Sequence, residues 1–160
     1  MNRKQEIYYS VKDGNLKELE TLMKEERNVF DVRPYSQSLL LHACLYEQTE
    51  IASYLIKRGF DVNEKDNDGF TPLHACAENH LVKLAELLLQ NGADVDIKDS
   101  FGNTPLLKAI LHADINIDVI KVLLDYSADP EVKNKFGSTA LSLALKIKNN
   151  TLLKLFNTKK

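Results

Sequence analysis

Four histidines, His42, His74, His80 and His112, and two cysteines, Cys44 and Cys76, are the side chains of this 160-residue chain best suited to act as bases, nucleophiles or metal ligands. Their spacing argues against each use. No Cys-x-x-Cys or His-x-x-x-His pair occurs, so no zinc clamp is expected. A phosphate-cradling Gly-x-x-x-x-Gly-Lys loop, a Gly-x-Ser-x-Gly elbow and a His-Glu-x-x-His helix are also missing. No catalytic residue, metal or cofactor is assigned, and the chain is expected not to be an enzyme. Cys44 and Cys76 each follow the word Leu-His-Ala and read as small buried side chains. Packed helices lie about 8–10 Å apart, while a disulfide needs Cα atoms within about 7 Å, so no bridge is expected.

The elements that position these residues are set by a repeating frame of glycines. Gly59 and Gly92 are 33 residues apart, as are Gly69 and Gly102, and Gly137 follows Gly102 by 35. The words Gly-Phe-Thr-Pro-Leu-His (69–74), Gly-Asn-Thr-Pro-Leu-Leu (102–107) and Gly-Ser-Thr-Ala-Leu-Ser (137–142) recur on the same spacing. So do Gly-Phe-Asp-Val-Asn (59–63), Gly-Ala-Asp-Val-Asp (92–96) and Ser-Ala-Asp-Pro-Glu (127–131). With a period near 33 and the Thr-Pro-Leu-His word, the chain resembles the ankyrin repeat family from about Ile7 to Phe156.

Within one unit the chemistry is local. Thr71 caps a helix with its hydroxyl, and Pro72 occupies the first turn, where its missing N–H costs nothing. Thr104-Pro105 repeats the device. A helix to about Asn79 is followed by a second near Leu81, with Leu81, Leu84 and Leu88 on one face and Gly92 at its end. The polar-flanked Ala-Asp-Val-Asp-Ile-Lys-Asp-Ser-Phe-Gly stretch then reads as an extended arm turning back at Ser100–Gly102. The expected fold is an all-α solenoid of five helix-turn-helix units with β-turn fingers. Their bounds are about 5–31, 36–65, 66–98, 99–133 and 134–157 of a single domain over 1–160. The 30 residues from Asp31 to Asp61 are read as a finger shortened by two plus one residue missing after Cys44. Polar ends are read as caps, giving a monomer.

The composition, 44% hydrophobic and 28% charged with a formal net charge of -2, is that of a soluble protein without general affinity for nucleic acid. The start lacks the apolar stretch of a secretory signal and no apolar run approaches membrane-spanning length, so a cytoplasmic location without membrane contact is expected.

The resemblance implies binding of another protein through finger tips and the inner face of the first helices. Carried over position by position, the contact candidates are Asn67, Asp68, Phe70, Glu78 and Asn79 in the third unit. The fourth supplies Ser100, Phe101, Asn103, Leu111 and His112, and the fifth Lys135, Phe136, Ser138 and Lys146. Phe70, Phe101 and Phe136 stand out, because a ring on a turn offers large contact area with few rotors to freeze. The same rings can instead lie on a neighbouring finger and staple the array. An adaptor or scaffold role is implied, with a dedicated inhibitor such as an antitoxin or immunity protein as the alternative. In the family, histidines at the positions of His42 and His74 tie helix starts to adjacent turns.

Departures from the frame carry expectations too. His112-Ala113-Asp114-Ile115-Asn116 holds a two-residue insertion between helices, and His80, where the family has glycine, is expected in a left-handed conformation. Lys65, Lys98 and Lys133 recur beside Asp66, Asp99 and Asn134 and read as a solvated face.

Overall fold

The computed structural model describes residues 2–26, 29–111 and 115–157. Among them are ten α-helices and no strand, so the fingers are turns rather than extended arms. The helices come in pairs: α1 (Arg3–Lys12) with α2 (Leu16–Glu25), α3 (Leu39–Leu45) with α4 (Thr49–Lys57), and α5 (Pro72–Glu78) with α6 (Val82–Gln90). The last two pairs are α7 (Pro105–Leu111) with α8 (Ile117–Asp125) and α9 (Ala140–Lys146) with α10 (Asn150–Asn157). The first helices α1, α3, α5, α7 and α9 pack in one row, and α4, α6, α8 and α10 in a second.

Why these short segments are helical is visible at their starts. The Thr71 hydroxyl accepts from the His74 backbone N–H while the His74 ring accepts from the Thr71 N–H, and Thr139 with Ser142 repeats that box. Ser38 caps α3 by accepting from the Leu41 N–H, and Thr104 accepts from that of Leu107. Such caps are worth about 1 kcal/mol each, yet seven-residue helices stay marginal alone. Burial supplies the rest: every residue from Pro72 to Ala77 is buried, and Leu39, Leu40, Leu41, Leu55, Leu73, Leu88 and Leu106 are at or near zero exposure. At about 25 cal/mol per Å² of apolar surface, a fully buried leucine contributes about 2 kcal/mol.

The helix frame corrects the reading of the second unit. From α3 to α5 and from α4 to α6 both ends advance by 33 residues, as do the last residues of α1 and α3, so no residue is missing after Cys44. The word Leu-His-Ala has slipped one step instead: Ala43, not Cys44, is the counterpart of Cys76. His42 therefore sits one position later in its helix than His74 and bonds within its own finger, to the Pro34 carbonyl at 3.0 Å. Asp31 falls in a short 3-10 turn, Val29–Asp31, rather than at the place of Asp61. The two extra residues of the fourth unit do lie between its helices, since α7 keeps the 33-residue step while α8 follows α6 by 35. Ile115, at the described edge of that insertion, packs partly on the core.

Cys44 and Cys76 are free and buried. Burial pushes the Cys76 thiol well up, and its hydrogen bond with the Cys44 thiol adds to the effect. His80 adopts the expected left-handed conformation with φ 60, and Glu47 and Lys148 do so at the same place in their units.

Finger glycines mark where backbones approach closely. A Cβ on Gly69 would lie 2.9 Å from the Ser100 nitrogen, and one on Gly102 3.0 Å from that of Lys135, whereas at Gly92 nothing lies within 4 Å. All three have positive φ. Gly92→Ala is therefore expected to lower stability by about 1–2 kcal/mol, the cost of a left-handed L-residue. Gly102→Ala is expected to cost clearly more, because a finger must also shift; urea denaturation of the two variants side by side checks the order.

Candidate functional site

Each finger is built around one side chain that folds the turn over itself. Asp66 Oδ1 accepts from the N–H groups of Asp68 and Phe70, both at 2.9 Å. Asp99 Oδ1 does so for Phe101 and Asn103 at 2.9 and 2.8 Å, and Asn134 Oδ1 for Phe136 and Ser138 at 3.0 and 2.9 Å. Successive fingers are then tied by backbone bonds, from Ser100 N to the Asp68 carbonyl (2.8 Å) and from Lys135 N to the Phe101 carbonyl (2.9 Å). The Lys65 ammonium donates to the Lys98 carbonyl at 2.9 Å, and Lys98 to that of Lys133 at 3.0 Å. These lysines are exposed, but they also clip one finger to the next instead of forming only a solvated face.

The tips hold the candidate contacts in three settings. Asn67, Asp68, Ser100, Phe101, Lys135 and Phe136 are exposed on the fingers, and Asn79, Leu111 and Lys146 are exposed at the ends of the inner helices. Phe101 and Phe136 come together, with ring centroids 6.5 Å apart and planes 23° from parallel, while 54% and 75% exposed. Phe70 differs: half-buried, its ring stacks on His74 at 5.3 Å beneath the Lys108 ammonium, 5.1 Å away. Lys108 also lies 3.6 Å from the half-buried Glu78 and 3.9 Å from Asp99. A cavity of about 330 Å³ opens among Asp66, Asp68, Phe70, Asp99, Phe101 and Lys108.

Asn103 departs from its expected place on an exposed tip. It is buried; its side chain donates to Asp99 and accepts from Asn134 Nδ2 at 2.8 Å, and its carbonyl accepts from His74 Nε2 at 3.0 Å. With its amide nitrogen on Asp99 of its own finger and its oxygen on Asn134 of the next, the buried side chain is not presented outward. Ser138 is half-buried inside the last turn, and Asn79 spends its side-chain amide on the Ala75 carbonyl. His112 lies outside the described residues.

The first two units together carry an aromatic group that the repeating words did not signal. Tyr8 meets His42, Tyr9, Tyr35 and Tyr46 at centroid distances of 5.0, 5.3, 5.9 and 6.4 Å. The Tyr8 and Tyr46 hydroxyls share a 2.8 Å hydrogen bond, and burial together with that bond pushes the Tyr8 phenol up. Tyr35, 80% exposed, is held at φ 55 beside Ser36 at φ 64, two successive left-handed residues that are not glycine. A cavity of about 460 Å³ lies beside it, lined by residues that include Tyr8, Tyr9, Asp31 and Tyr35. The available signal was compositional: four of the six tyrosines fall within the first 46 residues.

The described stack and its fingers agree with a family model described as ankyrin repeats (3 copies), which matches residues 7–99 and 84–159. The chain belongs to the ankyrin repeat family. It is also similar to an ankyrin repeat protein of Fowlpox virus (strain NVSL), 44% identical over 45 residues, or 28% of this chain and 10% of that protein. The match thus spans about a tenth of the viral relative's length. Ankyrin repeats are generally protein–protein interaction modules and typically non-catalytic. Among the described residues no helix of this ankyrin array is long and apolar enough to cross a membrane, and no cluster of three His, Cys, Asp or Glu is placed to hold a metal.

The two buried histidines give this array a pH dependence. Burial lowers the His42 and His74 pKa values from 6.5, the bonds to the Pro34 and Asn103 carbonyls opposing it only in part. Unfolded imidazoles take up protons as pH falls through 6.5, before the folded rings do, so stability is full above that pH and declines below it. The urea midpoint is expected to fall between about pH 7.5 and pH 5.5, with a shallower slope in His74→Gln, measured by circular dichroism.

Proposed function

We propose that this protein is a non-catalytic adaptor or scaffold that holds a partner protein on the face formed by its finger tips and inner helix ends. The observation that carries the reading is the Phe101–Phe136 pair. Two rings mutually stacked on adjacent fingers remain more than half exposed, and the backbone beneath them is fixed by the Lys135 N to Phe101 O bond. Exposed aromatics on a rigid platform bury area on binding without losing much conformational freedom. The exposed Asn67, Asp68, Ser100, Lys135, Leu111 and Lys146 supply mixed polar and apolar candidates for the rim of such an anchor. Phe70 is assigned to the stack, because its ring already rests on His74 under Lys108.

Alanine at Phe101 and Phe136 separates anchoring from stapling. The double variant is expected to melt with the unaltered protein while losing its partner, each true anchor being worth about 2 kcal/mol, or roughly thirtyfold in affinity. Circular dichroism and titration against a partner recovered from the source cells read the two effects. A lowered melting temperature with unchanged affinity of the folded protein would assign the rings to stapling.

A further inference from the structure

The fifth unit differs from the four before it in charge, in the apolar surface it leaves open and in its backbone pairing. Residues 1–131 carry 14 lysines and arginines against 23 acidic residues; from Val132 onward there are seven lysines and no Asp or Glu. Lys135, Lys146 and Lys148 are exposed, and their ammonium groups have no partner among the described residues. Leu145 is 57% exposed, while its counterparts in the preceding units, Ile110, Ala77 and Cys44, are 5%, 0% and 0% exposed beneath the unit that follows each. The outer face of the fifth unit thus presents apolar side chains among lysines. The Asp68 and Phe101 carbonyls each accept from the next finger, but that of Phe136 has no donor among the described residues. A Cβ at Gly137 would meet nothing within 4 Å, where those at Gly69 and Gly102 would meet the next finger.

We propose that the fifth unit binds an acidic segment of a partner protein in which apolar side chains are framed by Asp and Glu, an inference that rests on the protein-binding reading above. The apolar residues cover Leu145 and Phe136, carboxylates meet Lys135, Lys146 and Lys148, and a backbone N–H of the segment fills the open Phe136 carbonyl. The site continues the interface that joins the earlier units, so its geometry is already that of a protein contact. A second copy of this chain does not fit. End against end, it brings lysines against lysines; head to tail, it meets the first helix pair, whose residues 3–25 carry five lysines and arginines against five acidic residues and so offer no acidic surplus. A phosphate backbone would satisfy the lysines but leave Leu145 and Phe136 uncovered.

The test selects a random peptide library displayed on phage against the immobilised full chain, then measures enriched peptides by fluorescence anisotropy. Enriched sequences are expected to carry Leu, Ile or Phe flanked by Asp and Glu. They are expected to bind about tenfold more weakly to the triple variant Lys135→Gln, Lys146→Gln, Lys148→Gln and to weaken further as salt is raised. Coincident melting curves confirm that the variant is folded, and the three single variants stand in if it is not. Peptides that depend on Phe101 but are indifferent to the lysines overturn this inference and leave the protein-binding reading intact. Failure to enrich any peptide that depends on either group overturns both. Tighter binding of an oligo-dT strand or of phosphatidylserine vesicles than of any peptide overturns it in favour of nucleic acid or membrane.

Discussion

The seven-residue inner helices are too short to stand without neighbouring helices to pack on, and the rest of the molecule follows from that. In α5 the whole run from Pro72 to Ala77 is buried, one flank against α3 and the other against α7. A helix of seven residues cannot meet its nucleation cost from local hydrogen bonds, even with a capping box at its start. The array is consequently a chain of mutual dependence: a pair is ordered because the next pair hides its exposed side. Repetition in the sequence reflects this condition, since each unit must present complementary flanks.

Finger geometry translates that stacking into a surface. The bonds from Ser100 N to Asp68 O and from Lys135 N to Phe101 O set the distance between tips, and glycine at 69 and 102 is what permits the approach. His74 links the two systems, accepting at its helix start and donating to the following finger through the Asn103 carbonyl. Being buried, it does so as a neutral ring. The stack and its tips are thus coupled through one imidazole that has no spare valence for chemistry.

Much of the fold was legible because its determinants are local words on a fixed spacing: Thr71-Pro72 for a helix start, Gly69 and Gly102 for close turns, His80 for a left-handed link. The second unit was misread because Leu-His-Ala is a word of composition, and in α3 it stands one step out of register, a shift only helix ends reveal. The exposed pair Phe101 and Phe136 could be read from position in the repeat. The role of Asn103 could not, because whether an asparagine points outward or bonds Asp99 and Asn134 depends on where the neighbouring fingers lie. The tyrosines around His42 escaped for a related reason: Tyr8, Tyr35 and Tyr46 come from two units and meet only when α1 and α3 are packed.

The lengthened link between α7 and α8 leaves the contacts on either side of it undisturbed: α7 keeps its step from α5, and Lys135 still reaches Phe101. Spacing is enforced between fingers and relaxed within the connections of a pair. Heritable change of length is therefore cheap in those connections, where added codons lengthen a link without displacing the tips.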